Sequence, residues 1–402
     1  MTYFELIELY KKKELDEEIS KKIEIDIEKH EAISEYLFEK EEIAPDNEED
    51  ILKEDDGEFL EKINRYVRKA FLRLGITVGG ITIAVVLFTI FVLPHIVSVF
   101  YYNPGEIVAE NTNRMSLDMA VYTELMIPEY FRDDVMVEDN GYGSYDITIV
   151  QNASYTNWFN NVSGTVKRNK LKLYDINALN KPSGNAFGAT SLIKEADDIL
   201  SEEDDLYGGT LIAGAAGGPE QAKETLINLE EDKKYIGYVT LDRLMRYDEF
   251  IDFINRQKNI YSVWCTPCTS DFSDGGSFNT MNMGFYLNPG HSTFLNWDRE
   301  KYPNLMLWQS GMNEKEYDNM TENIKSEDFM KTHFISLLNY MSDQEMFLEM
   351  VGEDSRIFEE AADYIDKNGI TVYGFACIAE KEDLIVLNER EEVYEIYTQP
   401  LR

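Results

Sequence analysis

Residues 264–268 read Trp264-Cys265-Thr266-Pro267-Cys268, a spacing that in the right setting performs thiol–disulfide exchange. A reactive first thiol needs its pKa lowered, commonly at a helix N-terminus, but Cys268 is followed by Thr-Ser-Asp-Phe-Ser-Asp-Gly-Gly-Ser, which reads as a loop. Cys265 and Cys268 are therefore expected either to form a small structural disulfide or to stand as two free thiols. The glycines between Gly214 and Gly218 precede a helical pattern, yet their spacing matches neither a dinucleotide fingerprint nor a phosphate loop, and no Lys-Ser or Lys-Thr pair follows. His30, His95, His291 and His333 are scattered, with no ligand spacing among themselves or with the cysteines, and His333 reads as a core histidine of a packed helix. With 76 Asp and Glu residues, any carboxylate pair could be drawn as a dyad, so none is singled out. No catalytic residue, cofactor or metal is assigned, and the chain is not expected to be an enzyme.

The elements that place these residues begin with an uncharged stretch. Leu74 to Phe100 contains no Asp, Glu, Lys or Arg. At about 1.5 Å per residue it is about 40 Å long, more than the roughly 30 Å hydrocarbon core, so it reads as a transmembrane helix. It starts too far into the chain for a signal peptide and has no small-residue cleavage pattern. Arg65, Arg68, Lys69 and Arg73 crowd one flank, whereas the other holds Arg114 with Glu106, Glu110 and Asp118. The positive-inside rule then puts the N-terminus in the cytoplasm and the C-terminus outside, with Tyr101 and Tyr102 as an interfacial anchor. Gly75 and Gly79 make a G-x-x-x-G that permits close helix pairing, so a homodimer is one option.

The formal charge is −38. Such a surface is repelled by nucleic acid phosphates and anionic headgroups, which excludes direct nucleic acid binding and favours a basic protein partner. Three cysteines, Cys265, Cys268 and Cys377, cannot frame a disulfide scaffold.

Residues 1–40 carry two helical stripes, Tyr3, Leu6, Ile7 and Tyr10, then Ile19, Ile23, Ile27, Ile33 and Leu37. Lys11 to Lys13 end the first helix and Asp16, Glu17 and Glu18 begin the second, as the helix macrodipole favours. So small a head buries little on its own. Residues 41–57 are acidic, with Pro45 and Gly57, and read as a linker; 58–73 read as a juxtamembrane helix running on into the 74–100 span. Beyond it a helix is expected over 106–125, strands over 145–150 and 170–176, a glycine-rich acidic loop over 201–218, and a domain over 219–402. In that domain the pattern predicts helices over 219–231, 242–257, 329–350 and 355–367, and strands over 235–241, 259–266, 370–379 and 393–398. The fold class is α+β: a small helical head, one transmembrane helix and a mixed domain beyond it.

The head segment FELIELYKKKELDEEISKKIEIDIEKHEAISEYL resembles an anti-sigma domain whose second helix carries His-x-x-x-Cys-x-x-Cys. His30 falls at the histidine, but Ser34 and Leu37 stand where the cysteines would be, which makes this a zinc-less version. From Tyr101-Tyr102 to Gly141-Tyr-Gly-Ser-Tyr145-Asp-Ile, within 101–200, the chain resembles the sigma factor regulator N-terminal domain. From about Ile236 to Tyr397 it resembles the C-terminal one, through Gly284-Phe285, Asn288-Pro289-Gly290, Tyr302-Pro303-Asn304-Leu305, His333-Phe334 with Leu337, Leu338, Tyr340 and Met341, and Tyr373-Gly374.

The resemblance implies a membrane-bound anti-sigma factor of Gram-positive bacteria. Its head would sequester an extracytoplasmic-function sigma factor, with Ile19, Ile23, Ile27, Ile33 and Leu37 as candidate contacts, and its exported part would sense envelope stress or another membrane protein. A membrane-anchored thiol oxidoreductase resting on Cys265 and Cys268, and an exported binding module with no regulatory role, are the alternatives.

Overall fold

The computed structural model describes residues 7, 9–12, 16–40, 56–153, 159–188, 214–270, 282–287 and 292–401. The expected stripe at Tyr3 and Leu6, the linker up to residue 55, the loop up to residue 213 and Asn288-Pro289-Gly290 lie outside them. The chain divides into two compact units, Met1–Val86 and Leu87–Arg402. The architecture is α+β.

In the first unit, α1 (Glu17–Lys40) opens where the Asp16 carbonyl accepts the Ile19 and Ser20 N–H groups, with its acidic residues at the positive end of the helix dipole. Helix α2 (Asp56–Leu87) continues without interruption from the juxtamembrane residues into the apolar ones. A π turn (Phe88–Val92) and α3 (Leu93–Ser98) follow it in sequence. Lys62–Ser98 is long and apolar enough to cross a membrane: its most apolar window has a mean hydropathy of 2.6 and is 0 % buried.

The second unit carries a four-stranded antiparallel meander in the order β3 (Tyr130–Asp139), β4 (Ser144–Ala153), β5 (Phe159–Lys167), β6 (Leu171–Leu173). A short hairpin, β1 (Ile107–Ala109) and β2 (Thr112–Asn113), leads into α4 (Arg114–Met126). The helix expected from residue 106 thus starts later, because Asn111 takes a left-handed turn at φ 55° and the Asn113 side chain caps the helix by accepting the Ser116 N–H. Asn113 also donates from Nδ2 to the Val135 carbonyl at 2.9 Å, and the Val135 N–H donates to Ser116 Oγ at 2.9 Å, so two side chains of α4's first turn occupy the open edge of β3. The strand expected over 170–176 stops at Leu173, since the Asp175 side chain accepts the Asn177 N–H and turns the chain.

The larger sheet is antiparallel in the order β11 (Val393–Pro400), β7 (Lys234–Arg246), β10 (Thr371–Glu380), β8 (Tyr261–Pro267), β9 (Phe285–Tyr286). Alternation sends Val263 and Cys265 into the main core and Trp264 into a second, aromatic core with Tyr238, Tyr286 and Tyr373. Around it pack α5 (Pro219–Ile227), α6 (Tyr247–Asn255), α7 (Glu314–Asn323), α8 (Glu327–Ser342), α9 (Glu345–Val351), α10 (Ser355–Asn368) and α11 (Lys381–Asn388). Two expectations change. The 242–257 helix is in fact strand to Arg246, since Met245 and Arg246 pair with Val372 and Thr371. The 329–350 helix is two, broken at Asp343–Gln344.

Candidate functional site

The head's candidate contacts do not share one environment. Along α1, Ile23 is buried at 3 % exposure, Ile27 is half-buried, and Ile19 and Ile33 are open at 42 % and 57 %. The Leu37 side chain lies outside the described residues. Ile23 is therefore covered by the protein itself, whereas Ile19 and Ile33 leave apolar surface exposed. Ile25, off the expected stripe, is open as well at 44 %.

In the second unit α4 is buried on nearly every side, and its polar residues have to find partners inside the fold. The Asp118 carboxylate, wholly buried, accepts the Tyr102 hydroxyl on Oδ2 and the Tyr340 hydroxyl on Oδ1, each at 2.6 Å. Burial raises its pKa to about 6, against the two hydroxyl hydrogen bonds and the Arg114 charge, which lower it. Tyr102, expected as an interfacial anchor, instead points into the domain at 1 % exposure because Asp118 needs a donor there. Tyr101 is half-buried and lies against Gly143.

One turn on, Thr123 Oγ1 accepts from Arg132 Nη1 at 3.0 Å; Gln151 Oε1 accepts Arg132 Nε at 3.0 Å, and the Ala178 carbonyl accepts Nη2. Burial pulls the pKa of this guanidinium down to about 10. Glu124 Oε1 stands 3.1 Å from His333 Nε2, while His333 Nδ1 donates to the Asn304 carbonyl at 2.6 Å. Tyr122 donates to Glu353 Oε1 at 3.2 Å. Helix α4 thereby ties the meander to α8 and to Glu353 through side chains that each close a hydrogen bond. A cavity of about 50 Å³ opens beside it, lined in part by Glu124, Arg132, Tyr286 and Trp308, and has room for little more than water.

Cys265, Cys268 and Cys377 are free thiols, all buried. Cys265 sits in β8 with its side chain in the main core, and Cys268 follows the strand with its own in the aromatic core, so the pair faces opposite sides of the sheet and forms no disulfide. Burial pushes the Cys265 thiol well above the usual range and the Cys377 thiol up to about 12. Neither is set up as a thiolate.

Residues 226–397 match the family described as sigma factor regulator C-terminal. No curated protein and no solved structure matches the chain. The match supports an anti-sigma-factor regulatory role, and the geometry accounts for several residues inside the matched region. Gly284 lets β9 lie on its neighbour: a Cβ there would stand 2.1 Å from the Cys265 carbonyl oxygen. Gly374 does the same beneath the Phe187 ring, at 2.7 Å. The Pro303 carbonyl accepts the Ser336 hydroxyl at 2.6 Å and the Asn304 carbonyl accepts His333 Nδ1–H, so 303–304 is stitched along one side of α8, while the Tyr302 carbonyl accepts Trp297 Nε1–H at 2.9 Å.

Asp118, Arg132 and Glu124 were not legible as a site in the sequence. A carboxylate next to Met119 and an arginine in a strand carry no pattern of their own, and only their burial in the fold makes them matter.

Proposed function

We propose that this chain is a membrane-tethered anti-sigma factor: its head, residues 1–40, holds an extracytoplasmic-function sigma factor at the membrane, Lys62–Ser98 spans the bilayer with the N-terminus in the cytoplasm, and residues 101–402 respond to the state of the envelope. The observation that carries the reading is the sigma factor regulator match over 226–397 on a chain that also holds one membrane-length apolar helix. The excess of 76 carboxylates over 38 basic groups favours a basic protein surface over nucleic acid. The reading also takes residues 101–200 as the family's N-terminal region and the head as its zinc-less version. The thiol-exchange alternative finds no support in Cys265 and Cys268, whose side chains sit in separate cores.

On this reading Ile19 and Ile33 are the contacts, and Ile23 acts through the head's own packing. Covering two open isoleucines is worth roughly 1.5–3 kcal/mol each, so Ile19→Ala with Ile33→Ala should weaken sigma binding by about two to four powers of ten and switch the regulon on. Co-purification of sigma factors with the full chain from solubilised membranes, wild type against the double variant, measures this. If no extracytoplasmic-function sigma factor travels with the wild-type chain, the reading fails; if one travels equally with both, these are not the contacts.

A further inference from the structure

The Leu93 N–H reaches back five residues to the Phe88 carbonyl, closing the π turn. The next bond in that register would join residue 94 to the Thr89 carbonyl, and residue 94 is proline, which has no N–H. The Tyr142 hydroxyl, from the turn between β3 and β4, donates to that carbonyl instead. The rest of the turn lies against the same helix end. The Gly143 N–H donates to Ser98 Oγ at 3.1 Å, a Cβ on Gly141 would stand 3.3 Å from Pro94 Cβ, and one on Gly143 would stand 2.7 Å from Tyr101 Cδ2. Both glycines have positive φ, 79° and 67°, so this close approach is available to glycine and strained for other residues.

The depth of this contact follows from helix rise. About 20 residues cross a hydrocarbon core of about 30 Å. Counted from Leu74, just past the charged flank that ends at Arg73, that length runs to about Leu93. Thr89 and Pro94 therefore lie at the far edge of the hydrocarbon, where a backbone carbonyl without a donor is costly. A tyrosine, apolar in the ring and polar at the tip, suits that boundary. Val99 and Phe100, open at 80 % and 72 %, add apolar surface at the same helix end. At the base of the turn the exposed Asp139 and Asp146 carboxylates accept from Gly141 N–H and Asn140 Nδ2.

We propose that the Asn140–Gly143 turn is a lipid-level clasp: it enters the interfacial layer of the bilayer beside the membrane helix, and Tyr142 supplies the hydrogen bond that Pro94 cannot. The inference rests on Lys62–Ser98 being a membrane span and is independent of which partner the head binds.

The test uses the full chain in phosphatidylcholine–phosphatidylglycerol vesicles whose acyl chains are brominated either near the headgroup or near the methyl end. Tyr142→Trp adds one indole to the four of the natural chain. Its added emission should be lost with bromines near the headgroup and largely kept with bromines near the methyl end. Asn140→Trp, which leaves the Tyr142 bond in place, should behave alike. Added emission untouched by either lipid for both variants puts the turn in water and overturns the clasp. Tyr142→Phe should speed amide exchange across residues 93–99 by about tenfold, the loss of roughly one hydrogen bond. Unchanged exchange overturns the role given to the hydroxyl. A wild-type chain that fails to float with vesicles after an alkaline wash overturns the span and the clasp together, whatever sigma binding shows.

Discussion

Asp118 is a carboxylate kept among tyrosines, and its protonation follows from that. In the unfolded chain it loses its proton near the ordinary value of 3.8, in the folded chain at about 6. The folded state thus binds a proton more tightly, and its contribution to stability is fully present below 3.8 and gone above about 6. Measured as unfolding free energy of the full chain in detergent, wild type minus Asp118→Asn should rise on the order of 3 kcal/mol between pH 7 and pH 4. A difference that stays flat across that range would show that burial does not govern this carboxylate. Arg132 tests the same principle with the opposite charge. Arg132→Ala strands the Gln151, Thr123 and Ala178 acceptors together, and the cost should be about 3 kcal/mol or more in the same unfolding assay. A change under about 1 kcal/mol would mean that water replaces the guanidinium.

Among the elements, the ones the sequence shows clearly are those whose pattern and packing agree. The 355–367 helix and the 370–379 strand appear nearly as expected, as Ser355–Asn368 and Thr371–Glu380, because amphipathic spacing and β-branched runs point the same way as the core. Residues 242–246 look helical by themselves and become strand because β10 offers them partners. Strands β3 and β5 were not legible: the adjacent polar pairs Asp133–Asp134 and Asn160–Asn161 interrupt the apolar alternation. Glycine is informative at the sheet's tightest crossing. Gly284→Ala needs space already filled by the Cys265 carbonyl and the Trp264 ring, so it should lower the thermal midpoint by several degrees in a melt followed by tryptophan emission, while Gly352→Ala, with nothing around its position, is limited to the strain of a positive φ. Equal shifts for the two would remove close packing as the reason for glycine at 284.

For the whole molecule the safest expectation is topology. Reporter fusions at Gly57 and Gly105 flank Lys62–Ser98, and they should report opposite compartments, the cytoplasm for Gly57. Reporters on the same side would remove the anchor. The long apolar helix was legible in the uncharged stretch from Leu74 to Phe100, whereas its attachment was not, since nothing in the local pattern of residues 140–143 says that they lie against residue 89. Four residues beyond Ser98, Tyr102 donates to Asp118, which also accepts the Tyr340 hydroxyl of α8, so the segment that leaves the helix and the matched region share one buried carboxylate. The side chains of Asn113 and Ser116 that occupy Val135 bear on association as well. An exposed strand edge is a template for a neighbouring chain's backbone, and here α4 side chains already hold both the N–H and the carbonyl of Val135 on β3. A second copy seeking to extend the meander along β3 would first have to displace those two side chains from Val135.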